Sequence, residues 1–214
     1  MNISVLLCDD HTIIREGLKH LLETQPDIRV CGEAANGREA VQKTIDLEPD
    51  VLVLDIAMPE MNGLEAARQI RMARPKTRVI ILSVYSTPEH ICHALLTGIH
   101  GYILKESAGS ELIEAIRAVS GHKTYFSKKI DMDEIRKMLR DQKDVSPLTR
   151  LSQREREVLQ FVVEGLSSVA IGTKLGLSPK TVETYRSRLM NKLGLSDLPS
   201  LVKFALRHGI TQLE

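Results

Sequence analysis

Short aliphatic runs alternate with longer stretches whose apolar residues recur every three or four positions, and the alternation holds for about the first 120 residues. Residues 3–8, 28–33, 51–54, 79–83 and 101–104 are the short runs, each the length of one strand. Between them, residues 12–24 set Ile14, Leu18, Leu21 and Leu22 on one helical face, and residues 110–120 do so with Leu112, Ile113, Ile116 and Val119. Helices are also expected over 38–47 after Asn36-Gly37, after the Pro59 and Gly63 loop to about residue 73, and over 88–97. Val51-Leu52-Val53-Leu54 is apolar at every position, which marks a strand covered on both faces. Five strand-helix units in succession predict an α/β fold, a doubly wound five-stranded parallel sheet.

After Gly121 the pattern breaks. Residues 123–127 form a short extended piece, 131–143 a strongly charged helix with Ile135, Met138 and Leu139 on one side, and 144–149 have linker composition. The remainder reads as all helix. Ser152 is an N-cap with Glu155 at capping-box spacing, ahead of an apolar face of Val158, Leu159 and Val162 that runs to Gly165. A short helix over 168–175, the turn Gly176-Leu177-Ser178 and a longer helix from Pro179 to Leu193 make a helix-turn-helix. A final helix over 197–208 carries Leu198, Leu201, Val202 and Ala205 as one stripe. The expected division is therefore 1–121, a linker at 122–147 and a small all-α domain at 148–214.

Composition narrows the class. With 43% hydrophobic and 27% charged residues the chain is ordinary soluble globular material. No apolar stretch approaches the roughly 18 residues of a membrane span, and the start lacks a basic leader and cleavage site, so the expected location is cytoplasmic. Cys8, Cys31 and Cys92 sit in or beside apolar runs at spacings that suggest reduced core residues. The net charge of +1 hides an asymmetry. Residues 1–145 hold 19 Lys and Arg against 22 Asp and Glu, a balance of −3, whereas residues 146–214 hold 10 against 6, a balance of +4. The C-terminal part is the expected nucleic-acid binder.

The candidate chemistry lies at strand ends. Asp9-Asp10 follows the first strand, Asp55 the third and Lys105 the fifth. Ligands bind outside the carboxyl ends of strands in open α/β sheets, so these groups converge if the strands are parallel and adjacent. Clustered carboxylates repel one another, and such a cluster persists when a hard divalent cation neutralises it; oxygen ligands with room for water suit Mg²⁺. An Asp55 that merely caps the next helix is the structural alternative.

These residues resemble the receiver domain of two-component response regulators: an acidic pair after strand one, Asp55-x-x-Met58-Pro59 with Gly63, Ser83 ending strand four, and Lys105 ending strand five. Residues 151–210 resemble the LuxR-type helix-turn-helix through Leu151-Ser152, Arg154-Glu155-Arg156-Glu157, Ser178-Pro179-Lys180-Thr181-Val182-Glu183 and Lys192-Leu193-Gly194. Together they are similar to NarL/FixJ-type regulators. The resemblance implies strand order 2-1-3-4-5, phosphorylation of Asp55 by a partner histidine kinase, and Mg²⁺ held by Asp9, Asp10, Asp55 and the Ala57 carbonyl. It implies phosphoryl-responsive roles for Ser83, Lys105 and Tyr102, and a homodimer in the phosphorylated state that pairs through Leu198, Leu201, Val202 and Ala205. Glu106 follows Lys105 where many receivers have proline.

Stepping 100° per residue along 179–193 turns Val182, Leu189 and Leu193 inward, and Lys180, Thr184, Ser187 and Asn191 outward with Arg188 beside them. Those residues, with Thr181 and Lys192, are the expected contacts to double-stranded DNA; a solvated face is the alternative. Glu183 stands where the family often has Lys, Tyr185 where it often has His, and Ala170 where it often has Glu. An enzyme reading also exists. Haloacid-dehalogenase-type phosphohydrolases use a similar Asp nucleophile but place a second Asp two residues on as proton donor, and here that position is Ala57. A regulator without turnover, with at most slow self-dephosphorylation, is therefore expected.

Overall fold

Every residue of Val51–Asp55 is buried because the strand they form, β3, lies inside the sheet with a parallel neighbour on each edge. The computed structural model describes residues 2–141 and 147–211, so the linker composition at 144–146 falls outside the described residues. The chain divides into two units, Met1–Met138 and Leu139–Glu214.

In the first unit, β1 (Ile3–Cys8), β2 (Ile28–Ala34), β3, β4 (Arg78–Ser83), β5 (Gly101–Leu104) and β6 (Tyr125–Phe126) form one sheet in the order β2-β1-β3-β4-β5-β6. All pairings are parallel. The helices are α1 (Thr12–Glu23), α2 (Gly37–Leu47), α3 (Gly63–Ala73), α4 (Pro88–Leu96), α5 (Ala108–Ser120) and α6 (Met132–Asp141). Alternate strand residues Val5, Leu7, Val51, Val53, Ile80, Leu82 and Ile103 meet Leu18 and Leu22 of α1 and Leu112, Ile116 and Val119 of α5 in one core. Helices α2 and α3 start at Asn36 and Asn62, whose side chains accept the amides of Glu39 and Glu65. Among the described residues no helix is long and apolar enough to cross a membrane.

The sheet has six strands where the apolar runs predict five. The sixth is two residues long, held by Tyr125 N–H donating to His100 O at 3.1 Å and Ser127 N–H to Tyr102 O at 2.9 Å. A buried Ser127 hydroxyl locks it further, accepting Leu104 N–H and donating to Glu111 Oε2 at 2.6 Å. Two residues are too few to show a strand period. The first unit also takes in most of α6, which the sequence pattern assigns to the linker; Ile135 is buried and its carbonyl lies 3.8 Å from Cys92 Sγ of α4.

The second unit consists of a short 3-10 helix (Pro147–Arg150), α7 (Gln153–Val163), α8 (Ser168–Leu175), α9 (Pro179–Leu193) and α10 (Leu198–Arg207). Ser152 and Glu155 form the reciprocal capping box. Gly176, at φ +67°, caps α8 in the left-handed region, and Leu177 N–H donates to Gly172 O at 2.8 Å, which sets the turn into α9. The core joins Val158, Leu159, Phe161, Ile171, Val182 and Leu189 with Leu201 and Ala205. This corrects the expected α10 stripe: Leu201 and Ala205 are 2% and 0% exposed and belong to the domain core, whereas Leu198 is exposed and Val202 half-buried.

Candidate functional site

The parallel register sets the carboxyl ends of β1, β3, β4 and β5 in one row: Cys8 pairs with Leu54, Asp55 with Leu82, and Ser83 with Leu104. The residues that follow therefore share one rim. Lys105 Nζ donates to Asp55 Oδ2 at 2.9 Å and lies 2.7 Å from Asp9 Oδ2. Asp9 Oδ1 accepts the His11 amide at 2.9 Å, and the His11 ring Nδ1 lies 2.9 Å from Asp10 Oδ1. Asp55 Oδ1 accepts the Ile56 amide at 2.8 Å; the cap of α3 is Asn62, so Asp55 is not the helix cap.

The loop after Asp55 is folded tightly against its own strand. Gly63 N–H donates to Ile56 O at 2.8 Å, and a Cβ at Gly63 would stand 1.9 Å from the Asp55 carbonyl oxygen. Only glycine allows that approach. Ala57 is buried between these points.

Burial lifts the Asp55 carboxyl to about 6; Lys105 draws it down and Asp9 pushes it up again. Burial works against the Lys105 ammonium, but Asp55 and Asp9 outweigh it and hold its pKa above the ordinary lysine value. Ligand atoms of Asp9, Asp10, His11 and Asp55 all lie within 4.8 Å of one another. Asp9 Oδ2 and Asp10 Oδ1 are buried, with Lys105 Nζ and the His11 ring as close polar neighbours but no hydrogen bond of good geometry, so lone pairs remain for a cation. A hard, oxygen-preferring ion fits this donor set.

Ser83 is fully buried at the end of β4, and its Oγ accepts the Tyr85 amide at 3.1 Å. Tyr102 is turned fully inward, its hydroxyl donating to the Tyr85 carbonyl at 2.7 Å; burial raises its phenol pKa. A cleft of ≈ 250 Å³ opens beside Lys105, lined by Ser83, Val84, Ser86, Leu104 and Glu106. Glu106 turns to Lys129 at 2.9 Å, and the chain passes through a short 3-10 helix into α5.

Two residues escaped the sequence reading. His11 joins the acidic group through its ring, and its signal was adjacency to the acidic pair. Tyr85 joins Ser83 to Tyr102 through its backbone and stacks on His90 with ring centroids 4.3 Å apart. Backbone partners leave no mark on residue type.

In the second unit, Lys180, Thr184, Ser187, Arg188, Asn191 and Lys192 are exposed on α9, and Thr181 is half-buried in its first turn, where its amide donates to the Ser178 cap. Lys192 is already engaged: its ammonium donates to the buried Glu155 carboxylate at 2.7 Å, tying α9 to α7. Thr184 Oγ1 donates back to Lys180 O at 3.0 Å.

A parallel sheet with an acidic rim and a conjugate lysine, followed by a separate helix-turn-helix unit, defines a receiver coupled to a DNA-binding type of domain. Residues 5–117 match the response regulator receiver domain, and residues 149–205 match the bacterial regulatory proteins of the luxR family. The oxygen regulatory protein NreC of Staphylococcus aureus is 35% identical over 216 residues, covering 98% of this chain and 100% of its own length. A LuxR-family response regulator from Aurantimonas sp. SI85-9A1 superimposes with a TM-score of 0.61 at 33% identity, over 64% of this chain and 98% of that one. RcsB from Salmonella enterica serovar Typhimurium, solved bound to promoter rprA with the phosphomimetic BeF3-, gives a TM-score of 0.62 at 25% identity, over 95% and 98%. The chain belongs to the LuxR-family, NarL/FixJ-type two-component response regulators.

Proposed function

We propose that this regulator is switched by phosphorylation of Asp55 and binds double-stranded DNA through α9 to control transcription in the cytoplasm. The observation that carries the reading is the Asp55 carboxylate, 4% exposed, with Lys105 Nζ at 2.9 Å. One Asp55 oxygen attacks the phosphorus of a phosphohistidine on a partner kinase, the phosphorus–nitrogen bond breaks, and the imidazole leaves. Phosphoryl transfer asks the protein for alignment and for charge compensation at the equatorial oxygens. Lys105 exchanges its bond to the carboxylate for one to a phosphoryl oxygen, and Ser83 turns its hydroxyl toward another. Asp9, Asp10, Asp55 and the Ala57 carbonyl would hold Mg²⁺, which when bound supplies charge neutralisation for carboxylates and phosphoryl oxygens alike.

The absence of a proton-donating carboxylate at Ala57 favours a phosphoacceptor over a hydrolase. On α9, Thr184, Ser187 and Asn191 suit base edges, while Lys180, Arg188 and the partly engaged Lys192 suit phosphates or guanine. RcsB is seen on DNA, and the similarity in fold supports the same use here. The phosphorylated chain pairs with a second copy through α10. Incubation with acetyl phosphate should add one phosphoryl group, read by intact mass, in the presence of Mg²⁺ and not in EDTA. Equal phosphorylation of Asp55→Asn overturns the assignment.

A further inference from the structure

We propose that Glu183 sets part of the DNA sequence preference by accepting an exocyclic base amine, cytosine N4 foremost, in the major groove; this rests on the reading that α9 binds DNA. Helix α9 contains one acidic residue, and its side chain is 60% exposed. Glu183 lies three positions after Lys180 and four before Ser187, so it borders the outward row along one edge. A carboxylate there is repelled by phosphates at every site the helix visits. A neutral residue would bind non-specific duplex more tightly.

Its surroundings orient it. The Ser168 hydroxyl of α8 donates to Glu183 Oε1, and Arg186 Nη1 stands 3.5 Å from the same oxygen while donating to Ser168 Oγ at 3.1 Å. Both contacts to the carboxylate fall on Oε1, and the Arg186–Ser168 bond joins the two partners. Among the described residues Oε2 makes no hydrogen bond, so it remains an open acceptor on a side chain contacted through Oε1.

A carboxylate can only accept. In the major groove guanine presents N7 and O6 and thymine presents O4, all acceptors, which Oε2 repels. Adenine offers an amine beside its own N7 acceptor, whereas cytosine's own edge offers only the N4 amine, the nearest acceptor being O6 of the paired guanine. Glu183 therefore selects by attraction to cytosine and by exclusion of guanine and thymine, and the exclusion accounts for keeping a charge that lowers general affinity.

The test is binding-site selection from a randomised duplex pool by the full chain treated with acetyl phosphate and Mg²⁺, as wild type, Glu183→Gln and Glu183→Ala. Wild type should hold cytosine at one position per half-site over guanine and thymine by about tenfold. Glu183→Ala should flatten that position alone, Glu183→Gln should move it away from cytosine toward adenine, and both should bind random duplex more tightly than wild type. Identical preferences in all three proteins overturn the proposal and leave Glu183 as a link between α8 and α9. Loss of preference at every position with a lowered melting temperature overturns it in the same way. Failure of the wild type to select any sequence removes the DNA-binding reading itself, an outcome distinct from the other two.

Discussion

Asp55 occupies a place that disfavours its charge, and the sign of the consequence follows. Its carboxyl stands near 3.8 in the unfolded chain and about 6 when folded, so between those values the folded protein holds a proton that the unfolded one has released. Stability of the metal-free protein falls as pH rises across that window and stays lower above it, by roughly 3 kcal/mol. Asp55→Asn should therefore melt above wild type near pH 7.5 without metal and match it near pH 4, measured by thermal denaturation in EDTA. Metal binding has the matching dependence: Mg²⁺ affinity, measured by calorimetry, should drop as pH falls through about 6, and Asp55→Asn should flatten that drop. Asp9, Asp10, Asp55 and Lys105 were legible because charges that end apolar runs are conspicuous. His11 and Tyr85 were not, because their contacts form only when the loops close over the sheet rim.

Among the elements, α10 divides a stripe that the sequence shows as uniform. Leu198, Leu201, Val202 and Ala205 span about 100° of the helix, and the domain covers the side of that arc holding Leu201 and Ala205. Periodicity reveals which face is apolar and not how far neighbouring helices reach across it. The two halves should separate by mutation. Leu201→Ala should cost about 2–5 kcal/mol of stability in denaturant titration. Val202→Glu should leave the melt nearly unchanged and abolish dimeric DNA binding in analytical ultracentrifugation with duplex present; a large loss of stability would instead assign Val202 to the core. The same limit explains β6, whose two residues are fixed by hydrogen bonds to β5 and by Ser127 rather than by any pattern of their own.

At the scale of the molecule, a receiver side of −3 is joined to a DNA-binding side of +4, so control and recognition carry opposite charge. Acetyl phosphate should raise operator affinity of the full chain by about 5- to 150-fold at fixed salt and leave Asp55→Asn unmoved, as read by fluorescence anisotropy. An equal rise in the variant would detach DNA binding from Asp55. The backbone of Tyr85 shows what such a response would have to undo. Its N–H is held by the Ser83 oxygen and its carbonyl by the Tyr102 hydroxyl, so the loop after β4 is tied at both sides of one residue in the unmodified receiver. If Ser83 turns toward a phosphoryl oxygen, the Tyr85 amide loses its acceptor, so the signal has to release that loop as well as engage the hydroxyl. A phosphoryl group would then bias the loop only by the difference between the bond it gains from Ser83 and the one the Tyr85 amide gives up.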